Sequence, residues 1–313
     1  MTESSQKSSG LALRFWQYQK ERYPFIAYFI LIGTFSFSAI SYSRISRLED
    51  GFIGWPSFLV CVLNTVGLFF LVRVFDEFKD HEDDVRFRKS LPVPRGLISL
   101  QELKRIGWIC FGFMLGVDLA FAPAILPLLG LVLGYLALMG KEFFISDWLK
   151  RHQFWYITSH MFIIPLVDVF ASGFDWHLQN LEPPAGLLYF FMVSYLNGVV
   201  LEIGRKIKSP QTEEDGVLSY SKIMGARGAA FFWIALLILT GWLAWLAMDK
   251  AGIDQLSYQV LTSVLAICLL PAIIYLVRPT HKNGKNIEYA SALWTLGLYL
   301  SLGGLQMILS LWR

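Results

Sequence analysis

The sequence contains nine apolar stretches, and each is close to the roughly 20 residues that a helix needs to cross a bilayer. Little polar sequence remains between them, and charged residues make up only 16% of the chain, against about 25% in a typical soluble domain. We therefore predict an all-α, polytopic membrane protein. The nine stretches cover residues 23–43, 52–72, 104–122, 124–140, 154–172, 185–203, 227–248, 257–277 and 288–311.

The chain divides into a polar N-terminal segment, residues 1–22, and a single transmembrane domain, residues 23–313. The segment lacks the apolar core of a secretory signal. Leu11, Phe15 and Tyr18 recur at helical spacing, which is compatible with a helix lying on the membrane surface. A disordered tail is the alternative.

The lysine and arginine residues are distributed unevenly between the two sides of a nine-span topology. Twenty-three of the 27 fall on the side that holds the N-terminus, and the other side has only Arg44, Arg47, Lys250 and Arg313. Basic residues concentrate in cytoplasmic loops, so we predict a cytoplasmic N-terminus and a C-terminus on the opposite side. We expect the bacterial inner membrane as the location. No nucleic-acid-binding motif accompanies the positive charge, so we expect no nucleic-acid partner.

A cluster of six acidic residues within nine positions follows the second apolar stretch. If the helix continues beyond the membrane, Asp76, Asp80 and Asp84 recur every four residues and share one face. Glu77 and Asp83 border that face. Like charges at this spacing destabilise a helix by a few tenths of a kcal/mol per pair, and a bound divalent cation would offset the repulsion.

Two interpretations of the acidic cluster compete. Magnesium prefers oxygen ligands and keeps water and substrate phosphate in its shell, so one or two carboxylates suffice to hold it. The alternative is a hydrated loop in which Lys79, Arg86 and Arg88 balance the acids. The position at the mouth of a membrane span favours the metal site.

Basic residues converge on the same side of the membrane from three further loops. They follow the acidic cluster directly, the fourth span and the sixth span, and phosphate groups are their natural ligands. The candidates for binding a diphosphate are Arg88, Arg95, Lys141, Arg205, Lys206 and Lys222.

These residues resemble the UbiA superfamily of intramembrane prenyltransferases, which have nine transmembrane helices around a central cavity and acidic motifs after helices two and six. The first family motif, Asn-Asp-x-x-Asp-x-x-x-Asp, corresponds here to Asp76, Glu77, Asp80 and Asp84. The family's Pro-Leu-Pro-x-Gly-x-Ile-Ser turn corresponds to residues 92–99, Pro-Val-Pro-Arg-Gly-Leu-Ile-Ser.

The resemblance implies a magnesium-dependent transfer of a prenyl group from a polyprenyl diphosphate to an acceptor. It implies that Asp76, Asp80 and Asp84 bind magnesium as catalytic residues, with Glu77 as a further ligand and Glu202 as a ligand at the second motif. It also implies that Lys141 is catalytic. The basic residues named above would then bind the diphosphate.

The sequence departs from the family pattern at three places. Leu91 stands where an arginine usually precedes the turn, and Ala137 stands where a tyrosine usually lies four residues before Lys141. The second motif, Asp-x-x-x-Asp in the family, is Glu202-x-x-x-Lys206 here, and further acids follow at residues 213–215. An ammonium at Lys206 could replace one metal, so that one magnesium ion would serve.

Two other functions fit the same features. A terpene cyclase would use the same diphosphate without an acceptor, and a transporter could use the acidic cluster as a cation entrance. A transporter usually has a polar path through the midplane of the membrane. Only Asp118, His160 and Asp168 are notable ionisable residues within the spans, and we expect packing roles for them.

Overall fold

The protein is an all-helical membrane protein. A computed structural model describes residues 10–213 and 219–312. The predictions that concern residues 1–9, Glu214, Asp215 and Arg313 lie outside the described residues. The α-helices are α1 Leu11–Arg22, α2 Phe25–Ser46, α3 Trp55–Lys79, α4 His81–Phe87, α5 Leu100–Phe121, α6 Leu126–Gly140, α7 Ser146–Arg151, α8 Gln153–Met161, α9 Ile163–Trp176, α10 Leu187–Arg205, α11 Tyr220–Met224, α12 Ala226–Ala251, α13 Gln255–Val277, α14 His281–Tyr299 and α15 Leu305–Leu311.

Eight helical segments within the described ranges are long and apolar enough to cross a membrane. The remaining predicted stretch, 104–122, forms α5, whose 22 residues are also long enough to cross. Lys104, Arg105 and Asp118 make α5 less apolar than the others. The fold class is confirmed, and the predicted number of nine spans is approximate. The eight segments are Phe25–Ser46, Trp55–Lys79, Pro123–Gly140, Gln153–Gln179, Leu187–Arg205, Ala226–Ala251, Gln255–Val277 and His281–Leu311.

One large apolar core runs through the helical bundle, and a smaller one lies beside the acidic cluster. The smaller core joins α1 to α3, α5 and the turn at residues 92–99. Tyr18, Val93, Leu97 and Ile98 are buried in it. The N-terminal segment therefore contains a docked helix, so the helical alternative holds for residues 11–22.

The turn before α5 depends on two local features. Gly96 has a φ of 79°, a left-handed conformation that glycine adopts at little cost. Ser99 caps α5, since its hydroxyl accepts from the Glu102 backbone N–H while the Glu102 carboxylate accepts from the Ser99 backbone N–H. Arg14 of α1 also binds Glu102 at 2.6 Å. These contacts fix the position of residues 92–99, which follow the acidic cluster, relative to α1 and α5.

The opposite end of the bundle is held by a buried ion cluster. The carboxylate of Asp175 is fully buried, and it accepts hydrogen bonds from Arg44 at 3.1 Å, from Arg47 at 2.6 Å and from Ser43 at 2.7 Å. Two of the four basic residues predicted on this side are thus used to join α2 to α9. Which side faces the cytoplasm stays a prediction.

We expect Asp175→Ala to lower the free energy of unfolding by about 3–5 kcal/mol, because it leaves the buried guanidinium of Arg44 without its counter-charge and removes the nearer of the two acidic partners of Arg47. Thermal unfolding of the detergent-solubilised protein measures this as a lower apparent Tm. Asp249→Ala, at an exposed aspartate, is the control and should change the free energy by less than about 0.5 kcal/mol. Equal unfolding temperatures for both variants would contradict the assignment.

Candidate active site

The acidic cluster begins on the last turn of α3 and continues into α4. Asp80 lies between the two helices, with φ −89° and ψ 1°. Helical hydrogen bonds continue across it, since the Asp80 N–H donates to the Asp76 carbonyl and the Asp84 N–H donates to the Asp80 carbonyl. The helical path is therefore kept with a bend at Asp80. The predicted row of three aspartates is present along the backbone, but its side chains enter two different surroundings.

Asp76 and Asp80 have the first of these surroundings, around the ammonium of Lys79. The Lys79 Nζ atom is 3.3 Å from Asp76 and 4.0 Å from Asp80. The two carboxylates keep 30% and 40% of their side-chain surface exposed, so they can reach a ligand. Partial burial raises the pKa of Asp80, and the charge of Lys79 opposes that rise.

Glu77 lies on the other side of α3 and is 1% exposed. Its carboxylate is 2.7 Å from Arg22 of α1 and 3.1 Å from Arg73, and it accepts a hydrogen bond from Tyr18 at 3.4 Å. These three partners surround the group that the family resemblance offers as a metal ligand. In this arrangement Glu77 joins α1 to α3, and it shares Arg73 with Asp76, which lies 3.8 Å from that guanidinium.

Asp84 is 2% exposed and pairs with Arg88 at 3.3 Å. Burial raises the pKa of Asp84, while the charges of Arg88 and Arg22 oppose the rise. Asp84 therefore shares the surroundings of Glu77 more than those of Asp76. Arg88, a predicted diphosphate ligand, is engaged by Asp84.

The second motif, at the end of α10, contains an acid enclosed by two cations. Glu202 binds Arg205 at 2.6 Å and Lys206 at 2.5 Å through different carboxylate oxygens. The charge of Asp76 also acts on Arg205, so the ends of α3 and α10 lie near each other. The structure thus brings one of the predicted cations, Arg205, near the exposed part of the acidic row.

The three other predicted cations have different surroundings. Arg95 pairs with Glu21 of α1 at 2.7 Å and so belongs to the docking of the N-terminal helix. Lys141 is exposed at the end of α6, and Lys222 is an exposed residue of α11.

Glu142, which follows Lys141, turns inward where Lys141 does not. Residues Glu142, Phe143 and Phe144 have φ values of 50°, 53° and 62°, and a left-handed conformation costs non-glycine residues about 1–2 kcal/mol each. The turn leaves Glu142 only 7% exposed, 3.8 Å from Lys79 and 3.5 Å from His160. Strained backbone that the surrounding structure maintains is a common feature of functional sites.

The charges around Glu142 determine its ionisation. Burial would raise the pKa of the Glu142 carboxyl, but its contact with His160 and the positive charges of Lys79 and Lys150 hold that pKa below its usual range. Tyr156 completes the group, because Lys79 donates to its hydroxyl at 2.9 Å. The sequence alone did not predict that Glu142 and Tyr156 gather around Lys79. The position of Lys79, three residues after Asp76, indicated only its contact with that aspartate.

The other ionisable residues of the spans occupy buried positions. Asn64 of α3 donates to Asp118 of α5 at 2.7 Å, and both residues are buried. Asp168 is fully buried in α9, and neither of its carboxylate oxygens has a hydrogen-bond partner among the described residues. The packing roles expected for Asp118 and Asp168 stay predictions, whereas His160 contacts Glu142 of the site.

The donors present suit one magnesium ion better than two. Asp76 and Asp80 offer exposed carboxylate oxygens, and magnesium needs only one or two such groups beside water and phosphate. Both oxygens of Glu202 have cationic partners at 2.5 and 2.6 Å, whereas the cations beside Asp76 and Asp80 are 3.3 to 4.0 Å away. Within residues 10–213 and 219–312, no three acidic, histidine or cysteine side chains are close enough together to form a complete metal site.

By its fold and its site, the protein is a helical membrane protein that carries an acidic motif and a basic motif at one end of its bundle. The family model for the UbiA prenyltransferase family matches residues 40–297. The chain therefore belongs to the UbiA prenyltransferase family, as its first motif predicts.

Two solved structures show the same fold at low sequence identity. One is a UbiA homolog from Aeropyrum pernix K1, with a TM-score of 0.64 and 14% identity over 89% of this chain and 97% of that one. The other comes from work on digeranylgeranylglyceryl phosphate synthase in membranes, with a TM-score of 0.57 and 17% identity over 86% and 93% of the two chains. No curated protein matches the sequence.

Glu77→Ala tests whether Glu77 is a structural anchor. It removes the counter-charge of Arg22 and the nearer of the two acidic partners of Arg73, so we expect a loss of about 3–5 kcal/mol in stability and faster proteolysis at α1. Thermal unfolding and limited proteolysis measure the two effects. Glu82→Ala, at an exposed acid of the same cluster, is the matched control. A Glu77→Ala protein as stable and as resistant as the control would contradict the assignment.

Proposed function

We propose that the protein transfers a prenyl group from a polyprenyl diphosphate to an acceptor within the membrane, with magnesium as its cofactor. The observation that carries this proposal is the pair of exposed carboxylates, Asp76 and Asp80, near Arg205 at one end of a UbiA-family bundle. Carboxylates that hold a cation and guanidinium groups that bind phosphate are the two components that a diphosphate site requires.

The reaction breaks the bond between the allylic carbon and the diphosphate oxygen, and the bonding electrons leave with the diphosphate. Negative charge grows on the leaving group, so fixed positive charge stabilises the transition state more than the ground state. Magnesium held by Asp76 and Asp80 would supply part of that charge. Arg205, which lies near them, would bind and orient the diphosphate.

The second motif supports the use of one metal ion. The Lys206 ammonium is held 2.5 Å from Glu202, where the family pattern has a second carboxylate in place of the lysine. Lys206 would thus contribute positive charge from the side of α10 without a second ion. Glu202 would orient Lys206 and Arg205 toward the diphosphate.

The expected partners follow from the same chemistry. The apolar helices place the protein in the bilayer, where the prenyl chain of the substrate would also lie. We propose that the site opens to the cytoplasm, as the distribution of lysine and arginine predicts, and that the membrane is the bacterial inner membrane. Product mass would distinguish transfer to an acceptor from cyclisation of the prenyl chain.

Asp76→Asn and Asp80→Asn test the proposed activity. Each should reduce the rate of diphosphate release from prenyl diphosphates by about 100-fold, because each removes a charge that holds the stabilising cation. The assay uses purified protein, magnesium and prenyl diphosphates of several lengths. Asp83→Asn, at an exposed acid in the same cluster, should behave like wild type. No release from any substrate, or equal rates for all variants, would contradict the proposal.

A magnesium titration of diphosphate release tests the number of ions. We expect a simple hyperbolic dependence, because Glu202 is already neutralised by Arg205 and Lys206. Lys206→Asp, which restores the acidic spacing of the family, should make the dependence sigmoidal. Cooperative activation of the wild-type protein by two ions would contradict the assignment of Lys206.

A further inference from the structure

The ammonium of Lys79 lies among four oxygen-bearing side chains from three parts of the fold. Lys79 Nζ is 2.9 Å from the Tyr156 hydroxyl, 3.3 Å from Asp76, 3.8 Å from Glu142 and 4.0 Å from Asp80. Only 14% of its side chain is exposed. A protein cation thus occupies the centre of a group of carboxylates at the site where a diphosphate is proposed to bind.

The family motif does not specify this arrangement. Lys79 occupies an unspecified position between Glu77 and Asp80, and Glu142 belongs to none of the motifs. The left-handed turn at residues 142–144 directs Glu142 inward, and the hydroxyl of Tyr156 is supplied by α8. The position of Lys79 is therefore fixed by elements outside the acidic cluster.

Glu142 has a second partner that limits how it can bind Lys79. One of its oxygens faces the Nε2 atom of His160 at 3.5 Å. Among the described residues, neither of these two buried atoms has another hydrogen-bond partner. The Nδ1 atom of His160 is 2.8 Å from the Tyr156 carbonyl oxygen, which can only accept, so Nδ1 carries the proton in a neutral ring. The Oε2 atom of Glu142 is directed at His160, so its Oε1 atom, 3.8 Å from Lys79, is the one that holds the ammonium.

The balance of charge shows how Lys79 can act on a substrate. Asp76 also contacts Arg73 at 3.8 Å and Glu142 contacts His160 at 3.5 Å, whereas the contact of Asp80 with Lys79 is loose. A divalent cation can therefore bind at Asp80 with Lys79 beside it. The Asp80 contact, at 4.0 Å, is the loosest of the four. Lys79 can exchange it for a phosphate oxygen while it remains hydrogen-bonded to Tyr156.

We propose that Lys79 is a diphosphate-binding residue and that Glu142 and Tyr156 are the residues that position it. The proposal rests on the function proposed above and adds a cation to that site from within the acidic motif. Lys79 donates a charge-assisted hydrogen bond to the diphosphate, while Glu142 at 3.8 Å and the Tyr156 hydroxyl at 2.9 Å hold its ammonium beside Asp76 and Asp80.

Isothermal titration of the full-length, detergent-solubilised protein with inorganic pyrophosphate in magnesium buffer tests this proposal. Lys79→Met should weaken binding by about tenfold or more, which corresponds to one charge-assisted hydrogen bond. Lys79→Arg should retain most of the affinity. Lys89→Met removes an exposed lysine from the same cytoplasmic segment and should leave binding unchanged.

The positioning role of Glu142 requires a separate measurement. In a double-mutant cycle with Glu142→Gln and Lys79→Met, the two substitutions should be non-additive in pyrophosphate affinity. A purely structural role for Glu142 would lower stability and leave the two effects additive. Lys79→Met binding pyrophosphate as tightly as wild type would overturn the proposal for Lys79, and additivity would overturn the role of Glu142.

Wild-type protein gives an independent readout if the Lys79→Met variant does not fold. Magnesium pyrophosphate should protect Lys79, but not Lys89, from reductive methylation followed by mass spectrometry, and equal modification of both would overturn the proposal. The outcomes also separate the two proposals. Protein that binds pyrophosphate through Lys79 but releases no diphosphate from prenyl substrates overturns the proposed function alone.

Discussion

The pairing of charges at the end of α3 is the constraint on which the site depends. Five charged residues lie within two turns there, next to apolar helices in which an unpaired charge is costly. Glu77 pairs with Arg22 of α1 and with Arg73, while Asp76 and Asp80 lie around Lys79. Arg73 also contacts Asp76 at 3.8 Å and so links the two groups. The first group thereby holds the fold together, and the second remains available to a ligand.

This division explains why the N-terminal helix and the turn at residues 92–99 matter to a site that they do not line. Arg22, Arg14 and Glu21 bind Glu77, Glu102 and Arg95 in turn. The smaller apolar core beneath these ion pairs fixes the direction in which the chain leaves α3. The position of Asp76 and Asp80 therefore depends on a helix more than 50 residues away in the sequence.

The sequence predicts the parts of this structure that depend on local pattern. Hydropathy locates the membrane helices, helical spacing singles out Asp76, Asp80 and Asp84, and the family motif identifies the fold. The partner of Glu77 could not be predicted, because Arg22 is 55 residues distant and its direction is set by packing. The inward turn of Glu142 could not be predicted either, since residues 142–144 contain no glycine to indicate a left-handed conformation.

The central claim is that the diphosphate binds between Asp76, Asp80 and Lys79 on one side and Arg205 on the other. A structure of the protein with magnesium and a non-cleavable prenyl thiodiphosphate tests it most directly. The account predicts a metal ion on Asp76 and Asp80, phosphate oxygens on Lys79 and Arg205, and Glu77 still bound to Arg22. A diphosphate bound elsewhere, or Glu77 turned to coordinate the metal, would contradict it.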